Sequence, residues 1–373
     1  MNKYIVFCVE HYNPLGIVRS LGEKNIKPIV IVIKNKIVLT SKSKYISKLI
    51  VVNSIEEGYG YLCDILNKEK EKPFVYTADD KITCYLDARY DELKDKCFFF
   101  NAGKKSRISY YINKKNILEC AKRHGLNVLD TLVVKKGDIP ENLEYPIITK
   151  AEDPTVGAWK NDMFICYNED ELKNAYKKIE SPSVILQKYI KKKNEYCLEG
   201  FSINHGKEMI ITIASTYNYL RDISYSPYMT VKNFDRFDIK DKLDAMYQEI
   251  GFEGIFEIEF LVSEDNKLYF GEINFRNSTW SYASTCAGMN LPWLWSESMK
   301  KGKIDTQVIK KIKPGFTAMV EVTDFKDRVI NQKYNIIKWI NDLKNADCKY
   351  YIGKNDIKPV VSNLWSRIFG RAK

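Results

Sequence analysis

Acidic and amide side chains recur at every second position in two neighbouring segments of the chain. Glu257 and Glu259 precede a polar run at 265–267, and Glu272 and Asn274 follow it with the same spacing. In a β-strand, side chains two residues apart point to the same face of the sheet. Because the polar run can turn the chain, the two segments are predicted to form an antiparallel hairpin. The spacing therefore predicts a cluster of oxygen ligands on one face, the ligand type that Mg2+ prefers.

An ordinary solvated face of a hairpin would show the same alternation. Two features favour a binding site instead. Carboxylates on adjoining strands repel one another unless a cation lies between them. Arg276 follows Asn274 by two residues and so shares the face, where its guanidinium could hold a carboxylate or a phosphate. The spacing does not decide whether Glu257 is a further metal ligand.

The pattern Glu-x-Asn-x-Arg after a strand ending in Glu-Phe resembles the metal-binding end of the ATP-grasp ligases. The run from Glu272 to Ser281, continued by residues 288–292, is similar in particular to the carboxylate-amine ligase branch, which includes D-aspartate ligase-like enzymes. The resemblance implies ATP and Mg2+ as cofactors, with Mn2+ as an alternative ion. It implies that Arg276 is the catalytic residue that holds the substrate carboxylate. The metal ligands that it implies are Glu259, Glu272 and Asn274.

The nucleotide phosphates need a second group of residues, which the sequence offers upstream. Residues 112–126 form an amphipathic segment with a glycine near its end, which is typical of a helix stop. This segment resembles the ATP-grasp helix that opens with a phosphate-contacting lysine. A β-prone run at 145–150 also ends in a lysine, and the loop after it resembles the flexible loop that closes over ATP, although it has fewer glycines than is common there. The phosphate contacts that the resemblance implies are Lys114, Lys150, Thr155 and Gly157.

Residues 183–190 form an apolar strand that turns polar at its end, and they resemble the hinge between the two ATP-grasp lobes. Backbone groups there would read the edge of the adenine. A glutamate after the hinge would face the ribose, and Glu199 competes with Glu195 for this role. Each charged residue taken alone could be an ordinary solvated charge, but the order and spacing of the set favour a nucleotide site. The implied base and ribose contacts are Gln187, Lys188, Ile190 and Glu195.

The beginning of the chain alternates a strand at 3–9, a helix at about 14–24 and a strand at 27–33, as an open parallel sheet does. This resembles the Rossmann-like domain that precedes the ATP-grasp lobes. The predicted fold class is α/β, with α+β ATP-grasp lobes after an open parallel sheet. The predicted domains are 1–104 as the first domain, 105–186 as the small lobe with the phosphate lysines, and 187–373 as the large lobe with the Mg2+ site.

Two further residues, His11 and Arg221, are weaker candidates for substrate contacts. Ligands of open sheets bind beyond the carboxyl ends of the strands, which places His11 near the substrate opening, although a plain surface loop explains it equally well. Asp79 and Asp80 follow another predicted strand and could be either site residues or a helix cap. Arg221 lies in the tyrosine-rich segment 215–232 and could hold an acceptor's carboxylate or phosphate. Those tyrosines could instead simply pack between lobes.

Composition sets limits on the class of protein. The chain has 373 residues, 45% of them hydrophobic, which favours two or three folded lobes over disorder. No apolar run is long enough to cross a bilayer, and residues 4–9 read better as a first strand than as a signal peptide. Nine cysteines without a Cys-x-x-Cys pair, beside three histidines, argue against a zinc site. We therefore expect a cytoplasmic protein whose cysteines mostly lie in the core.

The net charge of +11 predicts anionic ligands without choosing among them. Residues 188–193 are the best candidate for nucleic-acid contact, but a solvated basic turn explains them better, so no nucleic acid is expected. The tail at 363–373 is aromatic and basic. It is expected to dock on the protein, with peripheral membrane contact as the alternative. The oligomeric state stays open.

The predicted function is that of an ATP-dependent carboxylate-amine ligase, which forms an amide or peptide bond through an acyl phosphate. An amino acid or a cell-envelope or polysaccharide precursor, lipid-linked or nucleotide-linked, is the expected type of substrate. Two alternatives remain at this point. One is an ATP-grasp kinase or carboxylase-type activity, and the other is a nucleotide-binding module without catalysis.

Overall fold

The first domain is a five-stranded parallel sheet with helices on its faces. The computed structural model describes residues 2–35, 37–152, 162–221 and 225–369. The sheet has the strand order β3-β2-β1-β4-β5, and its inner strands are nearly continuous apolar runs because both of their faces are covered. Its elements are β1 (Tyr4–Val9), α1 (Tyr12–Gly22), β2 (Ile29–Ile33), β3 (Lys48–Val52), α2 (Ile55–Leu66), β4 (Phe74–Thr77), α3 (Asp80–Asp87), α4 (Tyr90–Leu93) and β5 (Phe98–Phe99).

The small lobe is a four-stranded antiparallel sheet in the order β6-β9-β7-β8, covered on one side by a helix. The helix predicted at 112–126 is present, and it begins at Lys114 because Asn113 is extended and caps it, where the Asn113 side chain accepts hydrogen bonds from two backbone N–H groups. This helix stops before Gly125, whose φ of +74° lies in the left-handed region. The elements are α5 (Arg107–Ile112), α6 (Lys114–Arg123), β6 (Thr131–Lys135), β7 (Ile147–Ala151), β8 (Ile165–Cys166), α7 (Glu169–Tyr176) and β9 (Ser183–Lys188).

The large lobe is built on a seven-stranded sheet in the order β14-β13-β10-β11-β12-β15-β16. Its neighbouring strands are antiparallel except for β15 and β16. The elements are β10 (Lys192–Ile203), β11 (Glu208–Tyr217), β12 (Tyr228–Lys232), α8 (Lys240–Ile250), β13 (Gly254–Ser263), β14 (Leu268–Asn274), α9 (Ser281–Cys286), α10 (Leu291–Lys301), β15 (Thr317–Met319), α11 (Glu321–Asp324), a π-helix (Phe325–Asn331), α12 (Ile336–Asn345), β16 (Cys348–Lys349) and α13 (Lys358–Phe369).

The hairpin predicted from the acidic spacing is present as β13 and β14. The chain turns near Asn266, which has a φ of +62°. Glu257 pairs with Asn274 and Glu259 pairs with Glu272 across the two strands. Cross-strand partners share a face of the sheet, so the register brings the four predicted side chains together.

The first domain packs against the large lobe through one continuous apolar core. Trp295 of α10 lies within 5.3 Å of the Tyr76 ring and 5.0 Å of the Phe100 ring, measured between centroids. The end of the chain also returns to the first domain, where the buried Arg19 is 3.2 Å from a carboxylate oxygen of Asp356. These contacts fix the carboxyl ends of β1 and β4 beside the end of β14.

A membrane-spanning helix is not found in the described part of the chain, since no helix there combines enough length with enough apolar character.

Candidate active site

The acidic face of the large lobe consists of two rows of side chains across β10, β13 and β14. Glu199, Glu257 and Asn274 form one row, and the next row contains Glu259 and Glu272. The amide of Asn274 ties the rows together, because its Nδ2 donates to Glu257 Oε2 at 2.8 Å and to Glu259 Oε1 at 2.9 Å. The oxygen atoms of several side chains thus converge on one small area of the sheet.

Two carboxyl groups of this face have raised pKa values, in part because they repel neighbouring carboxylates. Burial and the neighbouring Glu257 and Glu272 raise the pKa of Glu259. Burial and Glu199 likewise raise the pKa of Glu257. A divalent cation with a preference for oxygen ligands would relieve this repulsion. The donor set therefore fits Mg2+ or Mn2+.

Two lysines face the carboxylates from the small lobe. Lys114 is the first residue of α6, and its ammonium forms an ion pair with Glu272, which lowers the pKa of that carboxyl. Lys150 on β7 donates from Nζ to Gln187 Oε1 at 2.8 Å. Burial, and then the charge of Lys114, lower the pKa of Lys150 to about 8. The charges of the two lysines thus act on each other, and an anion such as a phosphate group beside them would be stabilised by both.

The hinge predicted at 183–190 connects the two sheets, since β9 ends at Lys188 and β10 begins at Lys192. Gln187 is buried and donates from Nε2 to Thr131 at 2.9 Å. The side chain of Lys188 is half-exposed and lies near Glu144 at 4.0 Å. Because successive side chains of a strand alternate, the Lys188 side chain points away from Lys150 and Gln187. A contact between Lys188 and a nucleotide base would therefore have to come from the Lys188 backbone. Ile190 is partly exposed and lies in the segment between β9 and β10.

The two glutamates that competed for the ribose differ in access. Both carboxylate oxygens of Glu199 accept hydrogen bonds at 2.6 Å, one from Ser278 and one from Ser281, and the residue has no exposed surface. Glu195 is only partly covered, and Lys192 Nζ lies 2.5 Å from its Oε1. Its charge also acts on Lys150 and Glu259. Of the two, Glu195 alone has the surface that a ribose contact needs.

Arg276 connects the acidic face to the first domain. Its Nε and Nη2 donate to the two oxygens of Asp80 at 2.7 and 2.9 Å, and Nη2 also reaches Asn274 Oδ1 at 3.1 Å. Asp80 lies in the first turn of α3, and Asp79 is the cap of that helix. Sequence reasoning did not identify Asp80 as the partner of Arg276. The acidic pair directly after β4 was the only signal, and it reads equally well as a helix cap.

His11 approaches the same place from α1. It caps this helix, and its Nδ1 accepts a hydrogen bond from the Asn13 backbone at 3.2 Å. Burial and the nearby charge of Arg276 lower the pKa of His11 to about 4. The ring is therefore neutral at physiological pH and close enough to Arg276 to be affected by it.

Arg221 is not brought to this cluster. Arg221 lies beside Asp327 of the π-helix, with 3.4 Å between Nε and Oδ2. The tyrosines around it pack as the simpler interpretation expected: the Tyr225 ring lies 6.2 Å from that of Trp280, and Tyr219 donates to Asp324 at 2.9 Å. Thr155 and Gly157 lie outside the described residues.

Comparison with known proteins agrees with this geometry. The family model described as carbamoyl-phosphate synthase L chain, ATP binding domain, matches residues 118–294. That range contains Lys150 and the whole acidic face through Arg276. This segment of the chain is similar to an ATP-grasp domain. The resemblance recognised in the sequence is thereby confirmed.

The proteins that are similar to this chain differ in activity. The N5-carboxyaminoimidazole ribonucleotide synthase of Staphylococcus aureus (strain COL) is 24% identical over 247 residues, which are 57% of this chain and 63% of the relative. The solved structure of N5-carboxyaminoimidazole synthetase from Staphylococcus aureus complexed with ADP has a TM-score of 0.66 at 19% identity, covering 89% of this chain and 86% of that one. An L-amino acid ligase from Bacillus licheniformis also has a TM-score of 0.66, at 13% identity, covering 85% and 78%. These likenesses confirm the predicted fold class.

Proposed function

We propose that this protein is an ATP-dependent ligase that activates a substrate carboxylate as an acyl phosphate and joins it to an amine. The observation that supports this most directly is the convergence of three elements on one small area. The acidic face of β13 and β14 meets the lysines of the small lobe on one side. On the other side, Arg276 meets Asp80 and His11 of the first domain.

The nucleotide would lie between the small and large lobes. Glu259, Glu272 and Asn274 would hold Mg2+, which when bound neutralises the phosphate oxygens and so favours phosphoryl transfer. Lys114 now pairs with Glu272. A cation at Glu272 would free the lysine to turn to a phosphate. Lys150 would hold a second phosphate oxygen. The hinge beside Gln187 would border the adenine, and Glu195 would face the ribose.

Arg276 would position the carboxylate to be activated. Its guanidinium is already oriented by Asp80 and Asn274, so little freedom is lost when it holds a substrate. The charge that develops on the carboxylate oxygens during amine attack would lie close to this fixed cation. Neutral His11 could accept a proton or a hydrogen bond at the same opening. No side-chain nucleophile is needed.

The site indicates the general class of substrate. An amino acid or a small cell-envelope precursor is the proposed carboxylate or amine. Similarity to N5-carboxyaminoimidazole ribonucleotide synthase favours a second candidate, in which bicarbonate is the activated carboxylate. A kinase or a non-catalytic module is less well supported, because the metal ligands and Arg276 are all present. The cysteines of the described residues form no disulfide bonds, which fits a reducing cytoplasmic location, where ATP is available.

The test is a screen for ADP release with carboxylates, bicarbonate included, paired with amines. We expect ADP release to require both partners. An 18O-labelled carboxylate should then deliver one 18O atom to inorganic phosphate, because the acyl phosphate breaks at its acyl carbon when the amine attacks. ADP release that needs only a hydroxyl compound, with no 18O transfer, would indicate a kinase and contradict the proposal.

A further inference from the structure

The C-terminal part of the chain exposes an unusual amount of apolar surface. Of the seventeen large hydrophobic side chains that are exposed in the described part of the protein, eight lie within residues 330–364. Scattered single hydrophobic residues need no explanation, but a concentration of them indicates an interaction site. The eight are Ile330, Ile336, Ile337, Ile340, Ile352, Ile357, Val361 and Leu364.

Helix α12 shows how this exposure arises. Its apolar side chains cover a wide arc, of which Trp339 and Leu343 pack into a small core. Three isoleucines continue the same arc out of that core, with Ile337 74% exposed. We call Ile336, Ile337 and Ile340 the isoleucine face. The fold therefore leaves part of the apolar surface of α12 exposed.

The exposed charged residues in the stretch that contains the isoleucine face are all of one sign. Residues 330–364 contain three carboxylates, and each is held in an ion pair: Asp342 by Arg328 at 2.8 Å, Asp347 by Lys313, and Asp356 by Arg19. The charged residues of this stretch that are exposed, and not merely half-buried, are all lysines, namely Lys333, Lys338, Lys344, Lys354 and Lys358. The surface therefore combines aliphatic groups with uncompensated positive charge.

We propose that the isoleucine face docks on an anionic lipid bilayer. Aliphatic side chains would enter the boundary between headgroups and acyl chains, and the lysines beside them would remain at the anionic headgroups. A nucleic acid fits less well, because residues 330–364 expose neither an aromatic ring nor an arginine among the described side chains. A second copy of the chain fits less well too, because a symmetric contact would bring lysines against lysines.

Vesicle co-sedimentation of the full chain tests this proposal. Binding to phosphatidylglycerol–phosphatidylcholine vesicles should be strong at low salt, weaken at high salt, and be nearly absent with phosphatidylcholine alone. The triple variant Ile336→Gln, Ile337→Gln, Ile340→Gln should lower the partition coefficient at least ~10-fold. The triple variant Lys333→Gln, Lys338→Gln, Lys344→Gln should lower it by about fivefold for each lysine that reaches the surface.

A matched control replaces three exposed aliphatic residues elsewhere, Leu49, Val51 and Leu132, by glutamine. This control should bind vesicles as the parent does, and thermal melts should show that each variant folds. Equal binding to anionic and neutral vesicles would overturn the proposal, as would binding that the isoleucine variant leaves unchanged. A parent dimer that the isoleucine variant converts to a monomer would assign the face to a second copy instead.

Discussion

Two groups of glutamates in this protein have opposite electrostatic environments. Glu249, at the end of α8, is bonded by Arg123 and lies 2.7 Å from His124 Nε2. Burial acts to raise its pKa, but Arg123 and His124 outweigh burial and lower the pKa to about 2. On the acidic face, burial and neighbouring carboxylates raise the pKa of both Glu257 and Glu259.

This difference distinguishes a structural carboxylate, that of Glu249, from the carboxylates of the acidic face, which we propose to bind a cation. At Glu249 the protein itself supplies a compensating cation, Arg123, so the charge stabilises the fold. Between Glu257 and Glu259 of the acidic face repulsion remains, and a bound cation would relieve it. The comparison predicts that matching substitutions at the two places will have different consequences.

Glu272→Gln should give the largest effect. Removing one carboxylate from the proposed metal site leaves phosphate charge uncompensated, so turnover should fall at least ~100-fold while the fold remains intact. Steady-state ADP release with Mg2+, together with circular dichroism, measures this. Glu249→Gln is the matched control and should keep its turnover. Near-normal, Mg2+-dependent turnover in Glu272→Gln would rule out the metal assignment.

Arg276→Ala should strongly reduce product formation while leaving ATP binding nearly unchanged. Its guanidinium lies beyond the metal ligands at the first domain, so we expect a loss of about 100-fold in ligation, with ATP affinity within about twofold of the parent. Arg276→Lys keeps the charge but loses the bidentate geometry, and should be less severely affected. Product analysis and calorimetry separate the two effects. Ligation by Arg276→Ala at the parent rate would make this arginine purely structural.

Lys150→Met should weaken the binding of ATP and ADP by about 1–3 kcal/mol, the range for a charged hydrogen bond. Lys188→Met is the matched control, because its side chain points away from Lys150, and calorimetry should find its affinity unchanged. Unchanged affinity in Lys150→Met would argue against a phosphate contact.

The same substitution has a pH signature in the free protein. The pKa of Lys150 is about 8 when folded, below the ordinary lysine value. The unfolded chain therefore binds more protons above about pH 8, and the free energy of unfolding of the parent should rise with pH in that range. Lys150→Met should lack this rise in denaturant titrations.

Glu249→Gln should have the smallest effect, a loss of about 1 kcal/mol in the free energy of unfolding, since its partners are partly solvated. The pKa of Glu249 is lowered, so its contribution is present above about pH 4.5 and disappears as the pH falls toward 2. Denaturant unfolding at pH 7 and pH 3 should show the deficit shrinking at the lower pH. A constant deficit would mean that the charge of Glu249 is not its cause.

Local periodicity explains what the sequence could predict. The two-residue spacing of Glu257 and Glu259 sets their face, so the hairpin and its oxygen cluster could be predicted without a structure. The start of the helix at Lys114 could not, because an asparagine next to an amphipathic pattern reads as one more polar residue until its capping bonds are seen.

Contacts between distant parts of the chain explain what the sequence could not predict. Arg276 and Asp80 are 196 residues apart, and no local pattern links them. Glu195 and Glu199 lie four residues apart on β10 and so point to the same face of the sheet. Only Glu199 is covered, because Ser278 and Ser281 pack against it. Thus periodicity identifies a face, whereas tertiary packing decides which residues on it remain accessible.

The most direct test of the central claim is calorimetric titration of ADP with and without Mg2+. It compares the parent with the double variant Glu259→Gln, Glu272→Gln. The acidic face predicts that Mg2+ tightens ADP binding to the parent at least ~10-fold and gives the double variant no such gain. Without Mg2+, the double variant should bind ADP at least as tightly as the parent, because Lys114 is no longer held by Glu272. An equal gain from Mg2+ in both proteins would show that the acidic face is not the metal site.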